Sequence, residues 1–203
     1  MNIPTVGHPE VSSLSYSRAD VSAVRLGGTA AVVAGALMVT HQVVDAMIGG
    51  TTDAPRALLH TAWLVALFLA IRGVGVLQRP VSDRIGRILI LVALTGVGAT
   101  TVGAAVEALL LLTSPGTASE DPPMPILVVL ISILVLLVVG LLGFAVGILR
   151  AGVLPRSVGL LLLVGVLDKM VAPDWVPSLA ILGLTVAWLG VAMMRRGGTG
   201  ATR

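Results

Sequence analysis

Long apolar stretches separated by short charged segments organise the whole chain. Six intervals contain no acidic residue, lysine or arginine, and they cover residues 26–44, 57–71, 88–106, 122–149, 157–167 and 175–194. A helix needs about 20 mainly apolar residues to cross the hydrocarbon core of a bilayer, and four of these intervals reach or nearly reach that length. The apolar–polar alternation of membrane β-barrel strands does not occur, so the pattern predicts helices.

The second and fifth intervals need charged side chains near their ends in order to cross. The second is long enough if the Arg72 side chain extends towards the lipid headgroups and the helix continues to Leu77. The fifth is too short by itself, so its helix must begin at Pro155 and accept Asp168 and Lys169 near its end. We therefore predict six transmembrane helices, at about 26–48, 57–78, 86–112, 126–149, 155–171 and 176–194.

The composition excludes a soluble domain and a disordered chain. Charged residues make up 11% of the 203 residues, whereas apolar residues make up 56%. An average soluble domain carries about 25% charged residues, and disordered chains combine high charge with few apolar residues. The predicted fold class is an all-α integral membrane bundle of six helices. Residues 1–25 are expected to form a mobile N-terminal tail, 26–194 the six-helix domain and 195–203 a short C-terminal tail.

The basic residues predict the orientation of the bundle. With six crossings, eleven of the thirteen lysines and arginines fall on one side, and Arg56 and Lys169 fall on the other. Because basic residues favour the cytoplasmic face, both termini are predicted to be cytoplasmic. A chain that crosses the membrane in this way has the lipid bilayer as its expected partner. The net charge of +3 is spread over single residues, so we expect no nucleic-acid binding.

Small residues at helical spacing predict where the helices touch, because they let backbones approach closely in lipid. Predicted helix 4 carries Gly143 and Gly147 at a spacing of four. Two longer stripes follow one face of helix 1 (Gly27, Ala31, Ala34, Met38, His41 and Asp45) and one face of helix 6 (Ala180, Gly183, Ala187 and Gly190). These stripes predict packing seams within the bundle, and they leave open another membrane helix or self-association as a partner.

Four ionisable residues fall at one predicted depth, in the outer half of the bundle. His41 and Asp45 share a face in the last two turns of helix 1, His60 lies near the start of helix 2, and Glu107 lies near the end of helix 3. A charge at the bilayer centre costs about 2.5–3.5 kcal/mol, and less towards the interface. Such groups are tolerated best when they face inward and share protons. His41, Asp45, His60 and Glu107 are therefore the candidate site, with Asp168 as a further candidate.

Three interpretations of this cluster stay open. It is a polar plug that fixes the register of helices 1 to 3, a ligand or proton site of a small transporter or sensor, or a metal or haem site built on His41 and His60. For the third interpretation the sequence indicates no particular metal, since no His-Glu-x-x-His or comparable ligand spacing occurs. The sequence contains no cysteine, and neither Ser132 nor Ser178 has a neighbouring base. The pattern therefore favours a non-enzymatic role, with no catalytic residue and no cofactor expected.

Two segments carry a family resemblance. One runs Leu149-Arg-Ala-Gly-Val-Leu-Pro-Arg156 and continues through Gly159 into a leucine run, and the other joins Leu182-Gly183 to Ala187-Trp-Leu-Gly190 before two arginines. Together with His60 and Glu107, they resemble uncharacterised six-helix polytopic membrane proteins, a domain of unknown function, of high-GC bacteria. The resemblance implies a six-helix fold in a bacterial cytoplasmic membrane. It implies no activity, cofactor or catalytic residue.

Overall fold

The described part of the chain is built from six helices. The computed structural model describes residues 18–48, 53–113, 124–171 and 177–199, and these ranges contain helices and short connections. The prediction of an all-helical chain is therefore confirmed for these ranges. The helices are α1 (Arg18–Ile48), α2 (Ala54–Gln78), α3 (Arg84–Thr113), α4 (Met124–Ala151), α5 (Arg156–Val171) and α6 (Ser178–Thr199). All of them except α5 are long and apolar enough to cross a membrane.

Two helices extend beyond the predicted lipid boundaries. α1 begins at Arg18, inside the segment 1–25 predicted as an N-terminal tail, so residues 18–25 are helical; residues 1–17 lie outside the described ranges, and the domain bounds stay a prediction. α6 likewise continues past Arg195 to Thr199, within the predicted C-terminal tail. The physical reason is that uncharged intervals mark where lipid ends, whereas a helix continues until its sequence breaks it. Within Arg18–Arg25, the Ser22 hydroxyl donates to the Ala19 carbonyl at 2.8 Å, which leaves the helix intact.

Consecutive helices run antiparallel and pack in a closed ring. Each helix packs against its neighbours in sequence, and α6 returns to pack against α1. The end of the ring at which α1, α3 and α5 finish and α2, α4 and α6 begin is called here the outer end, and the opposite end the inner end. The core follows the middle of the ring, where Met38, Leu64, Val97, Phe144 and Leu189 are buried. Every helix therefore has two partners and one face left towards the surroundings.

Glycines make the closest contacts of the ring. A Cβ atom at Gly35 of α1 would lie 2.7 Å from the Ala187 nitrogen and would overlap the Gly183 carbonyl oxygen of α6. A Cβ atom at Gly27 would lie 2.6 Å from the Cα atom of Gly73 on α2. These backbones touch without intervening side chains. The predicted stripe of α1 faces this interior, because Gly27, Ala31, Ala34, Met38 and His41 are buried and Asp45 is half-buried.

Asp83 fastens α3 to α4 at the inner end. One carboxylate oxygen accepts a hydrogen bond from the Gly86 backbone nitrogen at 2.7 Å, which caps the start of α3. The other accepts from the Arg150 guanidinium at 2.9 Å. Both hydrogen bonds lower the pKa of Asp83, and the one from Gly86 has the larger effect. At the end of α4, Gly152 adopts a φ of 63°, which lets the chain turn into α5.

The outer half of α4 stands apart from the ring. Residues 124–132 are all exposed, whichever way their side chains point. The inner half is packed instead, since Gly140 lies against Ala93 of α3 and Leu149 lies against Gly159 of α5. No helix in the described ranges covers α4 along its first nine residues. The ring is therefore tight near its inner end and open beside α4 at its outer end.

Gly35→Ala is expected to lower the free energy of unfolding by about 1–3 kcal/mol, because the added methyl group would overlap the α6 backbone. Gly103→Ala is the matched control, since no heavy atom of the described chain lies within 4 Å of a Cβ atom there. The measurement is unfolding of the detergent-solubilised protein by sodium dodecyl sulfate, followed by circular dichroism. Equal stability of the two variants would contradict the close α1–α6 contact.

Candidate functional site

The helical spacing of α1 brings His41 and Asp45 together near the outer end. The two residues are four positions apart, and the Nδ1 atom of His41 lies 3.3 Å from an Asp45 carboxylate oxygen. This nitrogen makes no hydrogen bond of acceptable geometry within the described chain, so the contact is electrostatic. The His41 side chain is 10% exposed and that of Asp45 is 24% exposed. Both groups are therefore largely withdrawn from the surroundings.

The start of α2 places Arg56 against Asp45. Asp53 caps this helix, since its side chain accepts a hydrogen bond from the Arg56 backbone nitrogen at 3.0 Å, and a proline stands in the first turn. The guanidinium Nε atom of Arg56 then lies 2.6 Å from an Asp45 carboxylate oxygen. That oxygen accepts no hydrogen bond of acceptable angle in the part of the chain described, so the pair is held by charge. It ties the end of α1 to the beginning of α2.

Aromatic rings continue the cluster inward along α2. The rings of His41 and His60 meet edge to face, with centroids 5.6 Å apart and planes at 68°. The ring of His60 stacks on that of Trp63 at 5.0 Å and 10°. Trp63 is buried, and its indole nitrogen has no hydrogen-bond partner among the described residues. The cluster therefore extends from a charged pair to an aromatic stack about two turns deeper.

Two cavities share this cluster. The larger has a volume of about 980 Å³ and is lined by side chains from all six helices. The smaller has a volume of about 290 Å³ and is lined by His41, Arg56, Ala57, His60 and Glu107. His41, Arg56 and His60 line both cavities and stand where the two meet. Small-molecule sites usually occupy about 300–1,000 Å³, so the larger cavity can hold a ligand of considerable size.

The walls of the larger cavity differ in polarity. α1 and α2 contribute His41, Asp45, Arg56, His60 and Trp63, and so present most of the hydrogen-bonding and charged groups. The opposite wall is mainly apolar and comes from α4, α5 and α6, through Leu134, Leu137, Val138, Leu141, Val166, Met170, Leu179 and Leu182. Lys169 of α5 is the exception on that wall, and its side chain is exposed. One wall of the cavity is therefore polar and charged, and the opposite wall is mainly apolar.

The predicted site residues occupy three kinds of position. His41, Asp45 and His60 lie together and line the larger cavity. Glu107 is exposed on α3 and faces the cluster across the smaller cavity, away from the larger one. Asp168 is half-buried and lines neither of the two cavities. That any of these residues binds a ligand or a proton stays a prediction.

Arg56, Trp63 and Lys169 are members of the site that sequence reasoning did not select. In the sequence, Arg56 and Lys169 bear on the crossings and the orientation of the bundle. In the predicted orientation, both cations depart from the bias of basic residues towards the cytoplasmic side. That departure is the sequence feature that could have identified them, because a cation on the disfavoured side needs a compensating role.

The metal interpretation has no donor set in the described ranges. No group of three or more His, Cys, Asp or Glu side chains there has the arrangement of a metal site. A catalytic or structural zinc ion takes at least three protein ligands. Within those ranges, the His41 and His60 rings contact each other on the wall shared by the two cavities.

Comparison of the chain with protein-family models, curated proteins and solved structures finds no match. The resemblance to six-helix bacterial membrane proteins therefore stays an expectation. Function must be argued from the chemistry of the cluster and of the two cavities.

Asp45→Asn and Arg56→Gln, combined in a double-mutant cycle, are expected to show a coupling energy of about 1 kcal/mol, because the pair is only 22–24% exposed. The pair Asp83 and Arg150 is the matched control, with side chains 52–53% exposed, and its coupling should be smaller. Both cycles are measured by unfolding in detergent. A coupling of zero for Asp45 and Arg56 would contradict the ion pair.

Proposed function

We propose that this chain is an integral membrane protein of the bacterial cytoplasmic membrane that binds a small ligand or proton from the outer side. In this proposal it crosses the bilayer six times and both termini are cytoplasmic. The observation that carries the binding role is the His41, Asp45, Arg56 and His60 cluster opening into a cavity lined by all six helices. A small transporter or a sensor would use such a site.

The surface of the ring supports lipid as the surrounding medium. Ile126, Val128 and Leu130 on the outer half of α4 are 51%, 61% and 47% exposed. Apolar patches of this kind mark a membrane or a partner, and five helices have the length and hydropathy to span a bilayer. The inner end carries the arginines that favour the cytoplasm, among them Arg79, Arg84 and Arg150.

α5 is the demanding crossing of the proposal. Its 16 residues span about 24 Å, whereas the hydrocarbon core is about 30 Å thick. Arg156 at one end and Lys169 at the other can extend their charged groups towards the two headgroup regions. Local thinning of the bilayer accommodates the remaining mismatch at modest cost. A short fifth helix is therefore compatible with six crossings.

The state of the polar atoms favours binding over a purely structural plug. In a plug, the polar groups would satisfy one another and be sealed from any cavity. Here the Nδ1 atom of His41 and the indole nitrogen of Trp63 lack hydrogen-bond partners within the described ranges, and both side chains line the larger cavity. Buried polar atoms without partners cost free energy, so their position on a cavity wall supports a ligand that pairs with them.

Ala180→Cys is expected to react with a membrane-impermeant thiol reagent added to intact cells, because Ala180 lines the larger cavity near the outer end. The natural chain contains no cysteine, so this thiol would be the single target. Ile181→Cys is the matched control, since Ile181 is 40% exposed on the other side of α6 and should face lipid. Reaction is measured by mass shift on a gel.

Rapid modification at position 180 together with slow modification at position 181 supports a cavity that is open to the outside. An unreactive thiol at position 180 in folded protein would contradict the proposed site. Its reaction after permeabilisation alone would place the cavity on the cytoplasmic side and would contradict the orientation.

A further inference from the structure

The charged groups of the larger cavity lie at its mouth. Asp45 is three residues from the end of α1, Arg56 is two residues after the start of α2, and Lys169 is two residues before the end of α5. All three therefore sit within about one helical turn of the outer end. In a bilayer this is the level of the headgroups, where charged side chains are tolerated.

The deeper lining of the cavity is mostly apolar. Thr100 of α3 lies thirteen residues from the outer end of its helix, and Leu137 of α4 also lies thirteen residues from its own. Thirteen residues of helix correspond to about 20 Å. Leu141 lies a further turn below Leu137. The cavity thus changes from charged to apolar in the same direction as the outer half of a bilayer.

The charge at the mouth favours an anion. Among the described residues that line the larger cavity, Arg56 and Lys169 contribute two cations against the carboxylate of Asp45, and the ion pair to Asp45 holds Arg56 in place. Glu107 lines the smaller cavity together with Arg56 and does not line the larger one, so Lys169 is the cation that decides the charge balance at the larger mouth. Carboxylates and phosphates are the groups that arginine and lysine bind through charge-assisted hydrogen bonds.

We propose that the larger cavity binds a single-chain amphiphile with an anionic headgroup, a carboxylate or a phosphate, from the outer leaflet. This rests on the proposed function, since it requires a cavity that faces outward. The headgroup lies between Arg56 and Lys169, and the hydrocarbon chain lies along Leu137, Leu141 and Leu182. The exposed outer half of α4 leaves a lateral path from the lipid into the cavity.

Quenching of Trp63 fluorescence by brominated amphiphiles tests this proposal. Trp175 and Trp188 are replaced by phenylalanine, which leaves Trp63 on the cavity wall as the single tryptophan. The protein is reconstituted in phosphatidylcholine nanodiscs and titrated with ω-bromoundecanoate, with ω-bromoundecyl phosphate or with the uncharged ω-bromoundecanol. Saturable quenching by either anion is expected, with affinity about tenfold higher than for the alcohol, as one charge-assisted hydrogen bond predicts.

Variants of Lys169 identify the contact. Lys169→Gln should weaken anion binding about tenfold and leave alcohol binding unchanged, whereas Lys169→Arg should retain it. Arg150→Gln removes a cation at the inner end and serves as the matched control, with no expected change in affinity.

Four outcomes would overturn the proposal. Equal affinity for anions and alcohol, or unchanged binding in Lys169→Gln, would contradict an anionic headgroup. Neither result would contradict a cavity that is open to the outer side. Competition by inorganic phosphate at the same concentration as the brominated anion would show a site for a small free anion instead of an amphiphile. Non-saturable quenching by all three probes, in protein whose position 180 thiol is also unreactive, would defeat the amphiphile and the proposed function together.

Discussion

Direct backbone contact between helices is the interaction on which the rest of this fold depends. In lipid, apolar side chains gain little by leaving the surrounding hydrocarbon, so helices associate through close packing instead. The contacts of Gly27 with Gly73 and of Gly35 with Gly183 supply that packing on both sides of α1. The outer half of α4 has no such contact within the described ranges. A ring that is closed at one end and open at the other contains a cavity, and the cluster of polar groups lies at its open end.

The arrangement of charges along the sequence was sufficient to predict the helices but not their ends. Uncharged intervals locate hydrocarbon, and each of the six intervals contains most of one helix. Arg18 and Thr199 lie well outside those intervals and are still helical, because helix formation needs hydrogen bonding along the backbone and does not need lipid. The close contact of Gly183 followed from its predicted stripe of small residues, whereas the predicted stripe of helix 1 does not include Gly35, the residue that Gly183 contacts. The exposure of the outer half of α4 could not be predicted, since its sequence is as apolar as that of a buried helix.

The position of the candidate residues along their helices was predictable from the sequence, but the direction in which their side chains point was not. Distance along each helix placed His41, Asp45, His60 and Glu107 in one layer, and the first three line one cavity. Rotation about the helix axis is set by packing, which a single sequence does not specify, and it turns Glu107 towards the smaller cavity. The rotation of α5 about its own axis is likewise set by packing. It brings Lys169 to the cavity wall, whereas the neighbouring Asp168 lines neither cavity. Two oppositely charged neighbours on one helix could not have been ranked without the structure.

The crossing by α5 decides whether the outer end is a single surface, and therefore whether the cavity faces outward at all. Ser12→Cys, Ser119→Cys and Gly197→Cys, each made in the naturally cysteine-free chain, report the N-terminal segment, the connection between α3 and α4 and the C-terminal end. Labelling of intact cells with a membrane-impermeant maleimide measures which side each thiol occupies. Six crossings predict labelling at position 119 in intact cells, and at positions 12 and 197 only after permeabilisation. Labelling at position 197 in intact cells, with position 12 protected, would contradict the account.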